Sequence, residues 1–288
     1  MQGVVVSAVP TPFTPDGEVD TTAARQLLKF IAENTDGMLV AGTTGEFPAL
    51  DDSERLGLIE TALEIAGPDR VIAQIGAPDA RRAARLATDA VRRGANTIAA
   101  ITPFYNPVSP GELVDYYTRV RDAAPSAGLY AYIFPERTGV HVPVDLFATV
   151  AEAVGLAGAK LSGSAARDVA ACAAAAPRAR VYSGDDSDLA GVLKAGGAGV
   201  ISARSSAYPE VFMALAAAVT QGDDATAAAW QSFVSDIVAT GASIGRVKEA
   251  LRLRGFGQLG SRMPVGWPTG AVADQIGALV RRLAESAP

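Results

Sequence analysis

Short runs rich in Val, Ile, Ala and Gly recur along the chain without polar alternation. They are GVVVSAV from Gly3, GMLVAGTTG from Gly37, VIAQIG from Val71, TIAAITP from Thr97, GLYAYIFP from Gly128, LAGAKLS from Leu156, ARVYSGDD from Ala179 and GAGVISA from Gly197. A strand with one wet face alternates, whereas a strand buried on both faces reads as a continuous apolar run, and sheets buried on both faces are parallel. Between the runs lie amphipathic stretches of helical length, clearest in TTAARQLLKFIAEN, DSERLGLIETALEIA, DARRAARLATDAVRRG and SPGELVDYYTRVRDAA. Several open on Asp, Ser or Thr and close on Gly, as capped helices do. Eight strand–helix units in series predict an α/β fold, a closed (β/α)8 barrel of the TIM type. The competing open doubly wound sheet would carry G-x-G-x-x-G after its first strand; that fingerprint is missing here.

After about Ser205 the strand signals stop, and VFMALAAAVTQ, DDATAAAWQSFVSDIVA, RVKEALRLRG and GAVADQIGALVRRLAES read as helices. The expected organisation is a barrel over residues 1–222 and a C-terminal helical extension over 223–288, packed on the barrel or on a neighbouring subunit.

Composition narrows the partners. A net charge of −6 argues against the clustered Lys and Arg that phosphate neutralisation needs, so no nucleic-acid partner is expected. Cys172 is the sole cysteine, which excludes an intramolecular disulfide and a thiolate zinc cluster. The opening MQGVVVSAVP has no basic segment before its short apolar run. No run approaches the ~18–20 apolar residues of a membrane span, so a cytoplasmic protein without a membrane partner is expected.

Barrels of this kind place their chemistry at the C-terminal ends of the strands. Those ends carry Thr43, Thr44, Glu46, Gln74, Thr102, Tyr132, Lys160, Ser183, Asp185 and Ser202, a ring of hydroxyls around one amine. His141 follows the fifth strand unit at a distance and reads as a loop imidazole. Lysine occurs only at Lys29, Lys160, Lys194 and Lys248 in a chain that otherwise uses arginine. An amine can shed its proton and attack a carbonyl, which a guanidinium cannot, so Lys160 is the candidate nucleophile. The alternative for Lys160 is a salt bridge to Glu46 or Asp185. Tyr132, one strand earlier, is a candidate acid–base, or else half-buried core. The turn Gly42-Thr43-Thr44-Gly45-Glu46 offers amides and hydroxyls suited to a carboxylate, or simple turn chemistry. Ser183-Gly184-Asp185-Asp186 lacks further carboxylate or His partners nearby and reads as helix capping rather than a metal site.

Taken in order, VPTPF near the start, GTTGE at Gly42, TPFYN at Thr102, Y-x-x-P-x-R-T-G at Tyr132, G-x-K at Gly158, SGDD at Ser183 and G-x-G-V-I-S at Gly197 resemble the dihydrodipicolinate synthase / N-acetylneuraminate lyase superfamily over nearly the whole chain. The resemblance implies a lyase of the class I aldolase type acting on pyruvate or a related 2-oxo acid and an aldehyde. Lys160 would form the Schiff base, and neither metal nor organic cofactor would be needed. It further implies that Tyr132 is the acid–base, served by a hydroxyl relay of Thr43 and Tyr105, with Tyr105 reaching into a neighbouring subunit of a homotetramer. The Thr43–Thr44 turn would hold the 2-oxo acid carboxylate, Gly184 and the Ile201 carbonyl would line the same pocket, and Arg137 would take the carboxylate of the second substrate.

The member most resembled is the synthase that condenses pyruvate with aspartate semialdehyde. A catabolic 2-keto-3-deoxy sugar-acid aldolase or dehydratase of the same superfamily is the close alternative. Ile133 and Leu161 depart from the polar and acidic residues usual at those places in the synthase, and Phe47 stands where a small residue is common. Phe47 is therefore expected to reshape the second-substrate pocket near the mouth. Asp52, Arg55, Pro78, Arg82 and Phe104 occupy the positions that bind feedback lysine in regulated synthases without reproducing that site, so no lysine inhibition is expected. Two readings of other classes are a non-catalytic barrel that binds a 2-oxo acid and a phosphate-binding isomerase barrel; each leaves the pairing of Lys160 with Tyr132 unexplained.

Overall fold

The computed structural model describes residues 3–285. The order of elements is β1 (Val5–Ala8), α1 (Thr21–Asn34), β2 (Gly37–Val40), α2 (Asp52–Ala66), β3 (Val71–Gln74), α3 (Ala80–Arg92), β4 (Thr97–Ile101), α4 (Pro110–Ala123), β5 (Gly128–Ile133), α5 (Pro135–Thr138), α6 (Val144–Val154), β6 (Gly158–Leu161), α7 (Val169–Ala175), β7 (Arg180–Ser183), α8 (Leu189–Lys194), β8 (Gly199–Ser202), α9 (Pro209–Gln221), α10 (Asp224–Ala239), α11 (Ile244–Leu253) and α12 (Ala271–Ala284). Each strand lies parallel to the next, and β8 returns to β1 to close the barrel. Val6 of β1 stands opposite both Gly37 of β2 and Ile201 of β8.

The apolar runs divide between two packed regions. Val6, Ala8, Leu39, Ile72, Ala99, Tyr130, Tyr182 and Ile201 fill the barrel interior, while the other face of each strand joins the helices in a larger cluster. Tyr130 is accommodated because Gly158, on the neighbouring strand, has no side chain: a Cβ there would lie 2.3 Å from its ring. Side chains two apart on a strand share a face. Lys160 therefore projects into the same interior one layer above Gly158, and the register sets it directly opposite Tyr132.

The outer helices start where their caps dictate. Asp20, Asp51, Asp79 and Ser109 each accept a hydrogen bond from the amide three residues on, and Asp51–Glu54 and Ser109–Glu112 form reciprocal capping boxes. Helices α5 and α8, of 4 and 6 residues, are too short to display a periodic stripe and were not named from the pattern.

The C-terminal helices fold back onto the barrel of their own chain. Phe233, Val234, Ile237, Val247, Leu251, Ile276 and Leu279 belong to the same unbroken core cluster as the barrel's outer face. Arg254 ties α11 to α9 through Glu210 at 2.5 Å. Among the described residues no helix is long and apolar enough to cross a membrane.

Candidate active site

A cavity of about 340 Å³ opens at the C-terminal end of the barrel. Lys160 and Tyr132 form part of its wall together with Thr43, Thr44, Arg137, Gly184 and Ile201. Lys160 Nζ stands 4.6 Å from the centre of the Tyr132 ring, and the Tyr132 hydroxyl lies 3.0 Å from Thr43 Oγ1. Tyr132 is 1% exposed and Lys160 6%, so the only open side of either group faces the cavity. The alternative of a salt bridge is not realised: Lys160 makes no hydrogen bond or ion pair among the described residues, and Glu46 is taken by Lys248 at 2.5 Å. Asp185 turns its carboxylate to the Ser187 amide at 3.0 Å.

The GTTGE turn is built to present donors. Ala41 and Glu46 both adopt left-handed backbone, with φ of 55° and 56°. The Glu46 and Phe47 amides fold back to the carbonyls of Thr43 and Gly42, and the Thr11 hydroxyl holds the Gly45 carbonyl at 2.7 Å. The amides of Thr43 and Thr44 are left without an acceptor among the described residues. Two adjacent free amides beside a hydroxyl form a nest for an anion. Glycine is required at Gly184 on the opposite wall, where a Cβ would lie 1.9 Å from Ser162 Oγ and 3.1 Å from Lys160 Cε.

Several strand-end residues do not join this cavity. Gln74 is buried against the Arg55 guanidinium, which also donates to the carbonyls of Gln74 and Gly76. Thr102 bonds the Thr138 hydroxyl at 2.9 Å and so pins α5 to β4. Ser183 closes a local turn onto Asp185. Ser202 donates to the buried Asp186 carboxylate, whose other oxygen holds Arg204 at 2.5 Å. Within Ser183–Asp186 the capping expectation is therefore corrected: Asp186 is an ion-paired strut between the ends of β7 and β8, and it is Asp188 that caps α8. Among the described residues no group of three His, Cys, Asp or Glu side chains is placed to hold a metal ion. His141 is an exposed loop residue.

Phe47 also departs from expectation. It does not line the cavity. It packs with Ile101 and Tyr132 in a buried cluster behind the site, edge-on to Phe104 at 5.8 Å and beneath Arg55 at 5.2 Å. The two residues after a left-handed Glu46 turn back into the barrel wall, so bulk at this position buttresses Tyr132 instead of narrowing the mouth. Burial pushes the Arg55 guanidinium down to about 10. Tyr105 is 93% exposed with φ of 85° and does not line its own chain's cavity. A left-handed non-glycine residue costs on the order of 1–2 kcal/mol, which the TPFYN loop sustains to hold that ring outward.

Sequence reasoning missed the residues that the C-terminal helices bring to the cavity: Ile237 from α10 and Thr240 just after it, Arg246 and Val247 from α11, and Ile276 from α12. Nothing local marks them, since their role depends on the extension folding over the mouth.

A closed parallel barrel with a buried, unpaired lysine beside a tyrosine–threonine pair fits a lyase. The chain belongs to the Dihydrodipicolinate synthetase family, whose sequence profile matches residues 1–282. A 4-hydroxy-tetrahydrodipicolinate synthase from Symbiobacterium thermophilum is 32% identical over 290 residues, covering 99% of this chain and 98% of its own. An uncharacterised DapA-like lyase from Halobacterium salinarum is 35% identical over 257 residues, covering 88% of this chain and 84% of its own. Among solved structures, a prophage protein from E. coli K12 of the dihydrodipicolinic acid synthase family, in complex with pyruvate, superposes with a TM-score of 0.88 at 27% identity over 98% of both chains. Dihydrodipicolinate synthase from Thermotoga maritima gives 0.90 at 26% identity over 99% of both.

Proposed function

We propose that this chain condenses pyruvate with aspartate semialdehyde, the reaction named for its synthase relatives. The observation that carries the reading is Lys160 held unpaired between Tyr132 and a turn with two free amides. Pyruvate's carboxylate would sit on the Thr43 and Thr44 amides, placing its 2-oxo carbon at Lys160 Nζ. Attack forms a carbinolamine, and loss of water gives the iminium. That cation acidifies the adjacent methyl group, so the carbanion is stored as an enamine until the aldehyde carbon accepts it. The Tyr132 hydroxyl, hydrogen-bonded to Thr43, is positioned to pass protons in each step. The imine supplies the electron sink, so the reading calls for no metal or organic cofactor.

Arg137 makes no ion pair among the described residues and stacks 5.7 Å from the Phe134 ring at the cavity wall. It would take the acidic end of the aldehyde, which favours the semialdehyde over a neutral sugar-acid fragment. The outward Tyr105 would complete the relay of a neighbouring protomer, which makes an oligomer, in our reading a tetramer, the working form. We place the protein in the cytoplasm.

The test is intact-mass measurement after incubation with pyruvate and borohydride, beside Lys160→Ala. One reduced-pyruvate adduct on the native chain and none on the variant supports the reading. No adduct on either removes it.

A further inference from the structure

The cavity has another guanidinium, free of any ion pair among the described residues, that the reading above does not use. Arg246, on the first turn of α11, lines the same space as Lys160 and Arg137. Its Nε is sealed from solvent and has no hydrogen-bond partner, and the side chain forms no ion pair among the described residues. Its surroundings are shaped for it. Gly241, with φ of 86°, lies so close that a Cβ would come within 1.9 Å of Arg246 Nη1. The wall supplied by the C-terminal helices includes Ile237, Ile244, Val247 and Ile276 beside Thr240 and Ser243. A half-buried guanidinium without an anion of its own is suited to meet one carried by a ligand. The protein's carboxylates nearby are already engaged: Asp186 holds Arg204, and Asp185 is turned to the Ser187 amide.

The helix that carries Arg246 is itself immobilised. Ser243 caps α11 by accepting from the Arg246 amide, and it donates its own hydroxyl to the Gly266 carbonyl at 2.8 Å. Two residues on, Lys248 is locked to Glu46 of the GTTGE turn. The helix turn that carries Arg246 is thus held in fixed relation to the turn on which the 2-oxo acid carboxylate would sit.

We propose that Arg246 is a specificity-determining residue, an anion anchor on the α11 side of the cavity that selects aldehydes bearing a carboxylate at the end remote from the reacting carbonyl. The inference rests on the imine chemistry at Lys160 and adds to Arg137 a second residue that recognises the partner aldehyde. Arg137, exposed at the mouth, meets the acidic end as it enters; Arg246 holds it inside. Planar carboxylate suits a guanidinium fork, which an ammonium cannot reproduce.

The experiment compares native enzyme with Arg246→Met and Arg246→Lys, each assayed with pyruvate against aspartate semialdehyde, glyceraldehyde 3-phosphate and neutral glyceraldehyde. Methionine keeps the apolar stem and removes the charge, and lysine keeps the charge without the fork. The expected result for Arg246→Met is a rise in KM for aspartate semialdehyde of roughly 10- to 100-fold, with KM for pyruvate moving less than about two-fold. Arg246→Lys should recover part of the loss, which also controls for a misfolded methionine variant. A comparable KM rise for glyceraldehyde 3-phosphate would identify the anchored group as any anion and overturn the carboxylate preference. Equal changes for neutral and acidic aldehydes would overturn the inference altogether. The borohydride adduct separates the two levels: if the native chain forms it and Arg246→Met leaves KM for the semialdehyde unchanged, only this inference falls. If the native chain forms none, both fall.

Discussion

Lys160 and Lys248 stand at the same end of the barrel, both buried and both beside an aromatic ring, yet they live in opposite surroundings. Lys248 Nζ touches Glu46 Oε1 and the Gly260 carbonyl at 2.5 Å each and lies 5.0 Å from the Phe13 ring. The second Glu46 oxygen accepts the amides of Arg262 and Met263, and Arg262 in turn grips Glu54 with both ends of its fork. Every charge in that knot is answered, and it fastens the β2 turn to the loop after α11. Lys160 has a tyrosine ring, a cavity and no carboxylate. Burial alone therefore does not mark a catalytic amine. What distinguishes Lys160 is that no acidic partner meets it among the described residues, which leaves it open to a ligand in the cavity.

The largest effect that could break this contrast is at Lys160 itself. Lys160→Arg keeps the positive charge and much of the stem but cannot form an imine. Turnover should fall by roughly 10³-fold or more, with no borohydride-trapped adduct, in steady-state and mass measurements. Retention of even a tenth of the activity would mean that charge, not nucleophilicity, is what Lys160 supplies. Tyr132→Phe comes next. The ring that packs on Lys160, Phe134 and Phe47 is kept and only the hydroxyl bonded to Thr43 is lost. A loss of roughly 10²- to 10⁴-fold in kcat with little change in melting temperature is expected. A fall in stability with unchanged kcat would reassign Tyr132 to the core.

On the paired side the same kind of change should cost stability and spare the chemistry of imine formation. Lys248→Met leaves the Glu46 carboxylate buried without its cation, a loss of about 3–5 kcal/mol. For a chain of this length that is a drop in Tm of roughly 5–10 °C by calorimetry, with the pyruvate adduct still formed on the folded fraction. The Arg262 end of the knot gives a smaller, pH-dependent version. Hydrogen bonds from Arg262 hold the Glu54 carboxyl below its ordinary 4.5. A carboxylate lowered in the folded state binds fewer protons there than in the unfolded chain under acid conditions. Its stabilisation is therefore complete above pH 4.5 and is lost as the pH falls through the folded value. Removing the partner with Arg262→Met should lower stability near neutral pH by about 1–3 kcal/mol and flatten this part of the acid limb. Parallel acid limbs for the two proteins would show that Glu54 gains nothing from Arg262.

The contrast also explains what could be read from the sequence. The eight strands were legible because burial on both faces leaves continuous apolar runs, and α1, α2, α3 and α4 because their caps and stripes are local. Lys160, Tyr132, Thr43 and Thr44 were legible as strand-end chemistry, and the register brings them together. Gln74, Thr102 and Ser202 carry the same kind of signal but bond inward to Arg55, Thr138 and Asp186. A polar strand-end residue tells nothing of whether its partner is the protein or a ligand. Phe47 was misplaced because a left-handed residue before it reverses the side of the turn it faces. Arg246 was invisible because α11 reaches the cavity only through long-range contacts, with Glu46 lying 202 positions away from Lys248 in the chain.

The smallest expected effect is none at all, and it applies the same rule to a third set of charges. A free lysine bound to the protein would need a carboxylate for its ammonium groups and donors for its own carboxylate. At the positions in question Asp52 already holds Arg82 and Arg85, at 2.7 Å and 2.5 Å. Arg55 is buried, with one amino group spent on the carbonyls of Gln74 and Gly76 and its face on Phe47. Asp52 is therefore occupied from within, like Glu46 and unlike Lys160, and Arg55 is sealed from solvent. Seating a lysine would break the Asp52 pairs and add a cation beside two arginines. Initial rates with pyruvate and aspartate semialdehyde should therefore be unchanged by L-lysine up to several millimolar. Inhibition in that range would show that these internal pairs open to admit an outside ligand, and the distinction between answered and unanswered charges would no longer predict where this protein binds.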